Sequence, residues 1–149
     1  MADSLTIDID TAPLLAALAA IPEAVHAHLK AAAKVTAERI ATEARARVAR
    51  RTGTTASLIT VEETTSGDGY VIYVAPDVTL SLHTGPSGRT HTQKVTYNAL
   101  AGWLEFGTKF MSAKPFLFVS ARLEEGAHDQ RAREAVQDAI DESGLGEAA

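Results

Sequence analysis

The aromatic residues of this chain are concentrated in one short segment, and that concentration constrains the fold more than any other feature of the sequence. Six of the eight aromatic side chains fall between positions 97 and 118: Tyr97, Trp103, Phe106, Phe110, Phe116 and Phe118. Aromatic side chains bury the largest apolar area per residue. The segment is therefore expected to anchor either the hydrophobic core or the pocket of a binding partner.

A glycine and a proline divide this segment. Gly107 ends an apolar run and predicts a sharp turn with an unusual backbone angle. Pro115 fits the first turn of a helix, where its missing N–H group costs nothing. We therefore predict a strand, a glycine turn, a short loop and a helix that runs from about Pro115 to Glu142.

Upstream of this segment, the sequence predicts one long helix and several strands. Apolar and small residues recur every three or four positions from Ile21 to Val48, which predicts a helix of about eight turns with a single apolar stripe. Gly53 is its expected end. Strand patterns cover residues 4–10, 57–64, 69–75 and 78–83, and a glycine-rich hairpin turn joins the second to the third.

The length of 149 residues is expected to form one domain over 1–149. Within it, residues 83–94 are polar and rich in turn formers, so we expect a long exposed loop there. Residues 143–149 are expected to be a disordered tail. No apolar run is long enough to span a membrane, and the acidic N-terminus does not resemble a signal peptide.

Charge is distributed unevenly along the chain. The net charge is −5, yet residues 30–51 carry seven cations and two anions, whereas residues 122–149 carry three arginines and eight acids. The two segments are either complementary docking surfaces between copies or neighbours, or simply solvated helix faces. The basic segment could also contact nucleic acid, although it lacks aromatic stacking residues and the pI is near 5.5.

Nothing in the sequence indicates an enzyme, a cofactor or a metal site. The absence of cysteine excludes disulfides and thiolate chemistry, and the five histidines are not spaced for a shared ion. Glu105 is a lone carboxylate within an aromatic run and has no paired base or nucleophile in a recognisable motif. A structural role is favoured, in which Glu105 accepts backbone N–H bonds or an arginine from another subunit.

The sequence around this aromatic segment resembles that of the tail-completion (head–tail joining) proteins of long-tailed bacteriophages. The most specific part of the resemblance is a six-residue segment: Trp103, Leu104, Glu105, Phe106, Gly107 and Thr108. A short loop and then Pro115 and Phe116 follow this segment. Upstream, a long alanine-rich helix followed by Thr52, Gly53 and Leu58 is similar to a helix-end junction in that family. The similarity spans roughly residues 5–125.

This resemblance implies a non-enzymatic virion protein with an α+β fold, in which a long N-terminal helix packs across a twisted, mainly antiparallel sheet and a C-terminal helix follows. Such proteins form rings, usually of six subunits, in the neck between head and tail. The implied partners are further copies of the chain, the head-closure or connector protein, and the tail tube or tail terminator. DNA would pass through the lumen without specific binding.

The resemblance also assigns expected roles to individual residues. Phe106, Pro115 and Phe116 are expected in the core, while Glu105 and Thr108 fix the turn or a subunit contact. The candidate subunit interface consists of seven charged residues: Arg45, Arg47, Arg50, Arg51, Arg89, Glu124 and Glu125. Two alternatives stay open, namely a tail terminator that caps the tail tube and, more remotely, a nucleic-acid-binding module.

Overall fold

The computed structural model describes residues 6–9, 23–48, 53–84 and 91–142. The expected tail at 143–149 and four of the proposed site residues therefore lie outside the described part of the chain: Arg50, Arg51, Thr52 and Arg89.

A long helix, α1 (Glu23–Arg47), forms the base on which the other elements pack. Its buried positions recur every three or four residues and therefore share one face: Val25, Leu29, Ala33, Thr36, Ala37, Ile40, Ala41 and Ala44. Half of these side chains are alanine, so neighbouring elements can approach closely. The predicted helix and its apolar stripe are confirmed, with the helix ending at Arg47 rather than near Gly53.

Three antiparallel strands lie against this helix in the order β1 (Thr6–Ile9), β3 (Tyr70–Val74) and β2 (Ile59–Glu63). A short helix, α2 (Thr54–Ser57), leads into β2. On β3, buried side chains alternate with half-buried ones, as expected for a sheet with one face on the core. The predicted strands and the hairpin turn between β2 and β3 are confirmed.

Two further strands, β4 (Thr79–Thr84) and β5 (His91–Thr96), form a separate antiparallel ribbon. The expected loop over 83–94 is therefore wrong at both ends, because Thr84 pairs with His91 and His83 pairs with Thr92. Threonine-rich, alternating sequence favours extended backbone, and this preference outweighs the polar composition that suggested a loop. Only residues 85–90 of that loop remain outside the described strands.

Two helices complete the fold, α3 (Tyr97–Phe106) and α4 (Leu117–Glu142). Helix α4 runs antiparallel to α1, since His28 contacts Glu142 at one end while Thr36 contacts His128 further along. This confirms the α+β class with a long N-terminal helix across a sheet and a C-terminal helix. No helix in the described part of the chain is long and apolar enough to cross a membrane.

Buried side chains form two clusters, which follow one another along the buried face of the long helix. The sheet-side core joins the C-terminal half of α1 to the sheet and contains the largest buried side chains, among them Ile72, Phe116 and Leu117. The interhelical core is smaller, with Val25 and Leu29 packed on alanines of α4. The fold therefore has its strongest packing where α3 and the start of α4 meet the sheet.

Candidate functional site

The motif lies at the junction between α3 and α4, and its first half is helical. The Thr96 hydroxyl caps α3 by accepting the N–H of Ala99 at 3.1 Å. Asn98, Ala101 and Glu105 are buried, and their spacing of three and four residues places them on one helical face. The strand predicted over this apolar run is therefore wrong.

A buried side-chain amide anchors α3 to the sheet. The Nδ2 group of Asn98 donates to the carbonyl oxygen of Val74, at the end of β3, at 2.9 Å. Trp103 is 36% exposed, and Leu104 is half-buried against the sheet-side core. The motif thus begins on a helix that is fixed to the core by polar as well as apolar contacts.

Gly107 ends α3 in a conformation that requires glycine. Its φ is 77° and its ψ is −179°, and its N–H donates to the carbonyl oxygen of Trp103 at 2.8 Å. A Cβ atom here would lie 2.8 Å from the backbone atoms Ala113 N and Met111 O. The glycine turn predicted from the sequence is confirmed, and the close approach of the following loop adds a second reason for it.

The turn that follows is held by its own backbone. Thr108 and Met111 exchange backbone hydrogen bonds of 2.8 and 3.2 Å, and the Thr108 hydroxyl accepts the N–H of Phe110 at 3.2 Å. The N–H of Lys114 then donates to the carbonyl oxygen of Leu104 at 2.7 Å. Residues 107–115 therefore form an ordered turn with Phe110 near its tip.

Glu105 joins the two helices of the junction. Its carboxylate is 3% exposed, and it accepts the N–H groups of Phe116 at 2.8 Å, Leu117 at 3.0 Å and Phe118 at 2.9 Å. These N–H groups lie at the N-terminus of α4, where they have no partner within the helix. A carboxylate is stabilised there because the N-terminus is the positive end of the helix dipole. Of the two structural roles expected for Glu105, the structure shows the acceptance of backbone N–H bonds.

The aromatic residues of the motif divide between the core and the surface. Phe116 is fully buried, as expected, whereas Phe106 is 65% exposed and Pro115 is also exposed. Phe118 is 44% exposed, and its ring lies 5.7 Å from that of Phe106 at a tilt of 54°. The core placement expected for Phe106 and Pro115 is therefore wrong. For Phe106 the reason is that Asn98, Ala101 and Glu105 already occupy the inward face of α3. Pro115 lies in the exposed segment that precedes α4.

Phe110 is the most exposed aromatic side chain of the described residues, at 92%. The ammonium group of Lys109 lies 5.8 Å from the centre of its ring, within cation–π range. Between Glu105 and Glu124 the sequence contains only positive charges: Lys109, Lys114 and Arg122. We refer to Phe106, Phe110 and Phe118 together as the aromatic patch; sequence reasoning located these residues without showing that they face outward.

A groove of about 590 Å³ lies between α1 and α4. Val35 and Leu123 contribute apolar surface to it and are 41% and 59% exposed. The other lining residues are polar or charged: Glu38, Arg39, Thr42, Glu43 and Glu124. We call this the interhelical groove. Sequence reasoning missed it because Val35 lies off the apolar stripe of its helix.

A polar network crosses the two helices beside this groove. The Thr36 hydroxyl contacts Nδ1 of His128 at 3.0 Å and accepts from Nε of Arg131 at 3.2 Å, while Arg131 also pairs with Glu124. Burial lowers the pKa of His128 below its usual 6.5; Arg131 lowers it further, and Asp129 opposes the shift. The position between the helices therefore favours the neutral form of His128.

Of the four proposed interface charges that the structure describes, three are engaged within the chain. Arg45 donates to the carbonyl oxygen of Ile59 at 2.6 Å, Arg47 pairs with Glu43 at 2.7 Å, and Glu124 pairs with Arg131. Glu125 is exposed. The basic helix and the acidic helix pack on each other in one chain. They are therefore not two separate surfaces that present opposite charges to another copy.

The helix-end motif occupies the start of α2. Gly53 has a φ of 78°, a left-handed conformation that glycine adopts without strain, and it caps this short helix. Leu58 follows the helix and packs against the sheet-side core. Gly53 and Leu58 therefore determine how the chain enters β2.

The described residues do not assemble an evident catalytic or metal centre. The hydrogen-bond partners of the Glu105 carboxylate are all backbone N–H groups, with no nucleophile or base among them. In the described ranges, no three histidine, aspartate or glutamate side chains are grouped so as to hold a metal ion. The notable chemistry of the site is its exposed apolar and charged surface.

Comparison with known protein families matches residues 12–107 to the family described as "Bacteriophage HK97-gp10, putative tail-component". The matched range covers more than half of the chain; it includes α1, β2 to β5 and α3, and it ends at Gly107. No curated protein and no solved structure matches the chain.

Proposed function

Because the chain belongs to the HK97-gp10-like family of bacteriophage tail components, we propose that it forms a ring, of six copies, in the neck of the virion. There it joins the DNA-filled head to the tail. Its partners are neighbouring copies, the head-closure or connector protein, and the tail tube or tail terminator. Membership of a tail-component family supports a virion location and contacts with other virion proteins.

The aromatic patch is the observation that carries this proposal. Glu105 and Gly107 hold the junction rigidly, yet Phe106, Phe110 and Phe118 are directed outward. A rigid surface bearing several aromatic side chains is typical of a protein–protein interface, where such residues dominate the binding energy. The geometry thus supports an assembly role for the residues that also carry the sequence motif.

The proposal includes a channel through which DNA passes without specific binding. A net charge of −5 supports an overall repulsion between the ring and the phosphate backbone. Two arginines of the basic helix, Arg45 and Arg47, are engaged within the chain, which weighs against a nucleic-acid-binding module. We accordingly propose a structural protein rather than an enzyme.

The test is an assembly reaction in vitro. Heads and tails are prepared from phage that lack this gene, the purified full-length chain is added, and joined particles are counted by electron microscopy. We expect joined particles only when the chain is present. Continued separation of heads and tails would overturn the neck assignment.

The same preparation distinguishes the neck assignment from the tail-terminator alternative. A terminator acts on the tube, so tails made without the gene would be overlong and the chain would bind purified tubes in the absence of heads. Tails of normal length that lack only their connection to the head support the neck assignment. Salt-dependent binding of the isolated chain to duplex DNA would instead support the nucleic-acid module.

A further inference from the structure

Phe110 is held in solvent by an ordered turn. Backbone bonds between Thr108 and Met111 close the turn, and the Thr108 hydroxyl fixes the N–H of Phe110 itself. A phenylalanine side chain that is 92% exposed leaves almost all of its apolar area in water. A partner that covers Phe110 would therefore remove a large apolar area from water.

The interhelical groove offers a shallow, open and partly apolar surface on the same chain. It has room for an aromatic ring at about 590 Å³, and Val35 and Leu123 supply apolar contacts within it. None of its lining residues comes from the 107–115 turn. The groove of one chain is therefore not filled by the Phe110 of that chain.

The charges of the two surfaces allow one complementary pair. The turn carries Lys109 and Lys114 and no acidic residue. The groove carries three carboxylates and one arginine among its lining residues. Glu43 and Glu124 have arginine partners in the chain, whereas Glu38 and Arg39 both lie exposed on the wall of the groove. A lysine brought in beside Phe110 would find an acidic residue there.

We infer that Phe110 of one copy inserts into the interhelical groove of the next copy, with Lys109 against Glu38. The inserted surface differs from the receiving surface, so the contact repeats head to tail and generates a closed ring when the rotation closes. This inference rests on the proposed ring and names its subunit contact. It assigns a role to the turn and the groove, which the family motif does not explain.

The natural chain contains no cysteine, so engineered cysteines report contacts without background. Ser112→Cys places a thiol beside Phe110 while keeping that ring, and Thr42→Cys places one on the groove. The two single variants are mixed at high concentration and treated with a short bismaleimide. Cross-linked dimer is expected only in the mixture, and a ladder of cross-linked copies is expected from the chain that carries both substitutions.

Second substitutions make the test specific. Phe110→Ala on the Ser112→Cys chain should reduce the cross-linked product by about tenfold or more, as for loss of a central aromatic anchor. Val78→Ala, the control on an exposed apolar residue outside both the aromatic patch and the groove, should leave the product nearly unchanged. Lys109→Glu should reduce the yield, and Glu38→Lys on the Thr42→Cys chain should restore it.

The outcome separates this inference from the proposed function. The doubly substituted chain is also cross-linked inside joined heads and tails, where the ring would form even if the free chain is monomeric. Absence of a ladder in both preparations, or equal cross-linking with and without Phe110, overturns the inference. Heads and tails that join normally in such a case leave the neck assignment standing, whereas failure of the unsubstituted chain to join them removes that assignment whatever the cross-linking shows.

Discussion

The inward and outward sides of the 103–118 motif differ in what they do for the protein. Inward, Phe116 is fully buried and Glu105 bonds to three backbone N–H groups at the start of α4. Outward, Phe106 and Phe110 are 65% and 92% exposed. The comparison shows that residues adjacent in one motif can have separate roles. The inward side chains stabilise the fold, and the outward side chains are available for assembly.

Phe116→Ala is expected to cause the largest loss of stability. Removing a fully buried aromatic ring from the sheet-side core leaves a cavity and should lower the free energy of unfolding by roughly 3–5 kcal/mol. Denaturant unfolding followed by circular dichroism measures this. The matched control is Phe118→Ala, two residues away and 44% exposed, which should cost far less. Equal losses for the two variants would remove the distinction between the sides.

Glu105→Gln is expected to have the next largest effect. A glutamine can accept with only one oxygen, and its amide group would face an N–H group of α4 instead of accepting from it. The free energy of unfolding should fall by roughly 2–3 kcal/mol. Glu125→Gln, on an exposed position of α4, is the control and should be nearly neutral. Two similar values would mean that the carboxylate does not hold the junction.

Local patterns in the sequence predicted much of this fold. Periodic apolar residues predicted α1 and α4, alternation predicted the strands of the main sheet, and Gly107 predicted the turn. The junction was harder, because the apolar run up to Phe106 suits a strand as well as a helix. Its inward face carries Asn98 and Glu105, whose polar groups are paired with backbone groups distant in sequence.

The same reason explains the misplacement of Phe106. Hydrophobicity predicts which side chains prefer burial, but here two polar side chains occupy the inward face and the phenylalanine is left outside. The interhelical groove and the His128 network depend on how α1 and α4 meet, and a helical pattern alone does not give that geometry. The roles proposed for the charged interface residues stay predictions.

Gly107→Ala should be destabilising, while the same change at Gly126 should be stabilising. At Gly107 the backbone conformation is close to one that only glycine adopts, and a Cβ atom would meet backbone at 2.8 Å. The expected loss is roughly 1–3 kcal/mol. At Gly126, inside α4 and with nothing within 4 Å, alanine should add about 0.5–1 kcal/mol. Thermal unfolding of the two variants gives the signs, and a shared sign would contradict this account.

The polar network between the long helices predicts a pH dependence that the junction does not share. Burial lowers the pKa of His128 below 6.5, so the unfolded chain takes up its proton first as the pH falls. The contribution of His128 to stability is therefore fully present above about pH 6.5 and declines below it. His128→Asn should flatten this part of the pH profile of unfolding. An unchanged slope would contradict a role for His128 in this pH dependence.

Phe110→Ala should have the smallest effect on stability and thereby gives the most direct test of the outward side. The side chain contacts little beyond the Lys109 ammonium group, an exposed cation–π contact, so the free energy of unfolding should change by no more than about 0.5 kcal/mol. Denaturant unfolding of Phe110→Ala and Phe116→Ala under the same conditions measures the smallest and the largest expected losses of stability. A Phe110→Ala variant as unstable as the Phe118→Ala variant would mean that the ring packs within its own chain. In that case its exposure would no longer support a role in assembly, because the residue would be retained for the fold.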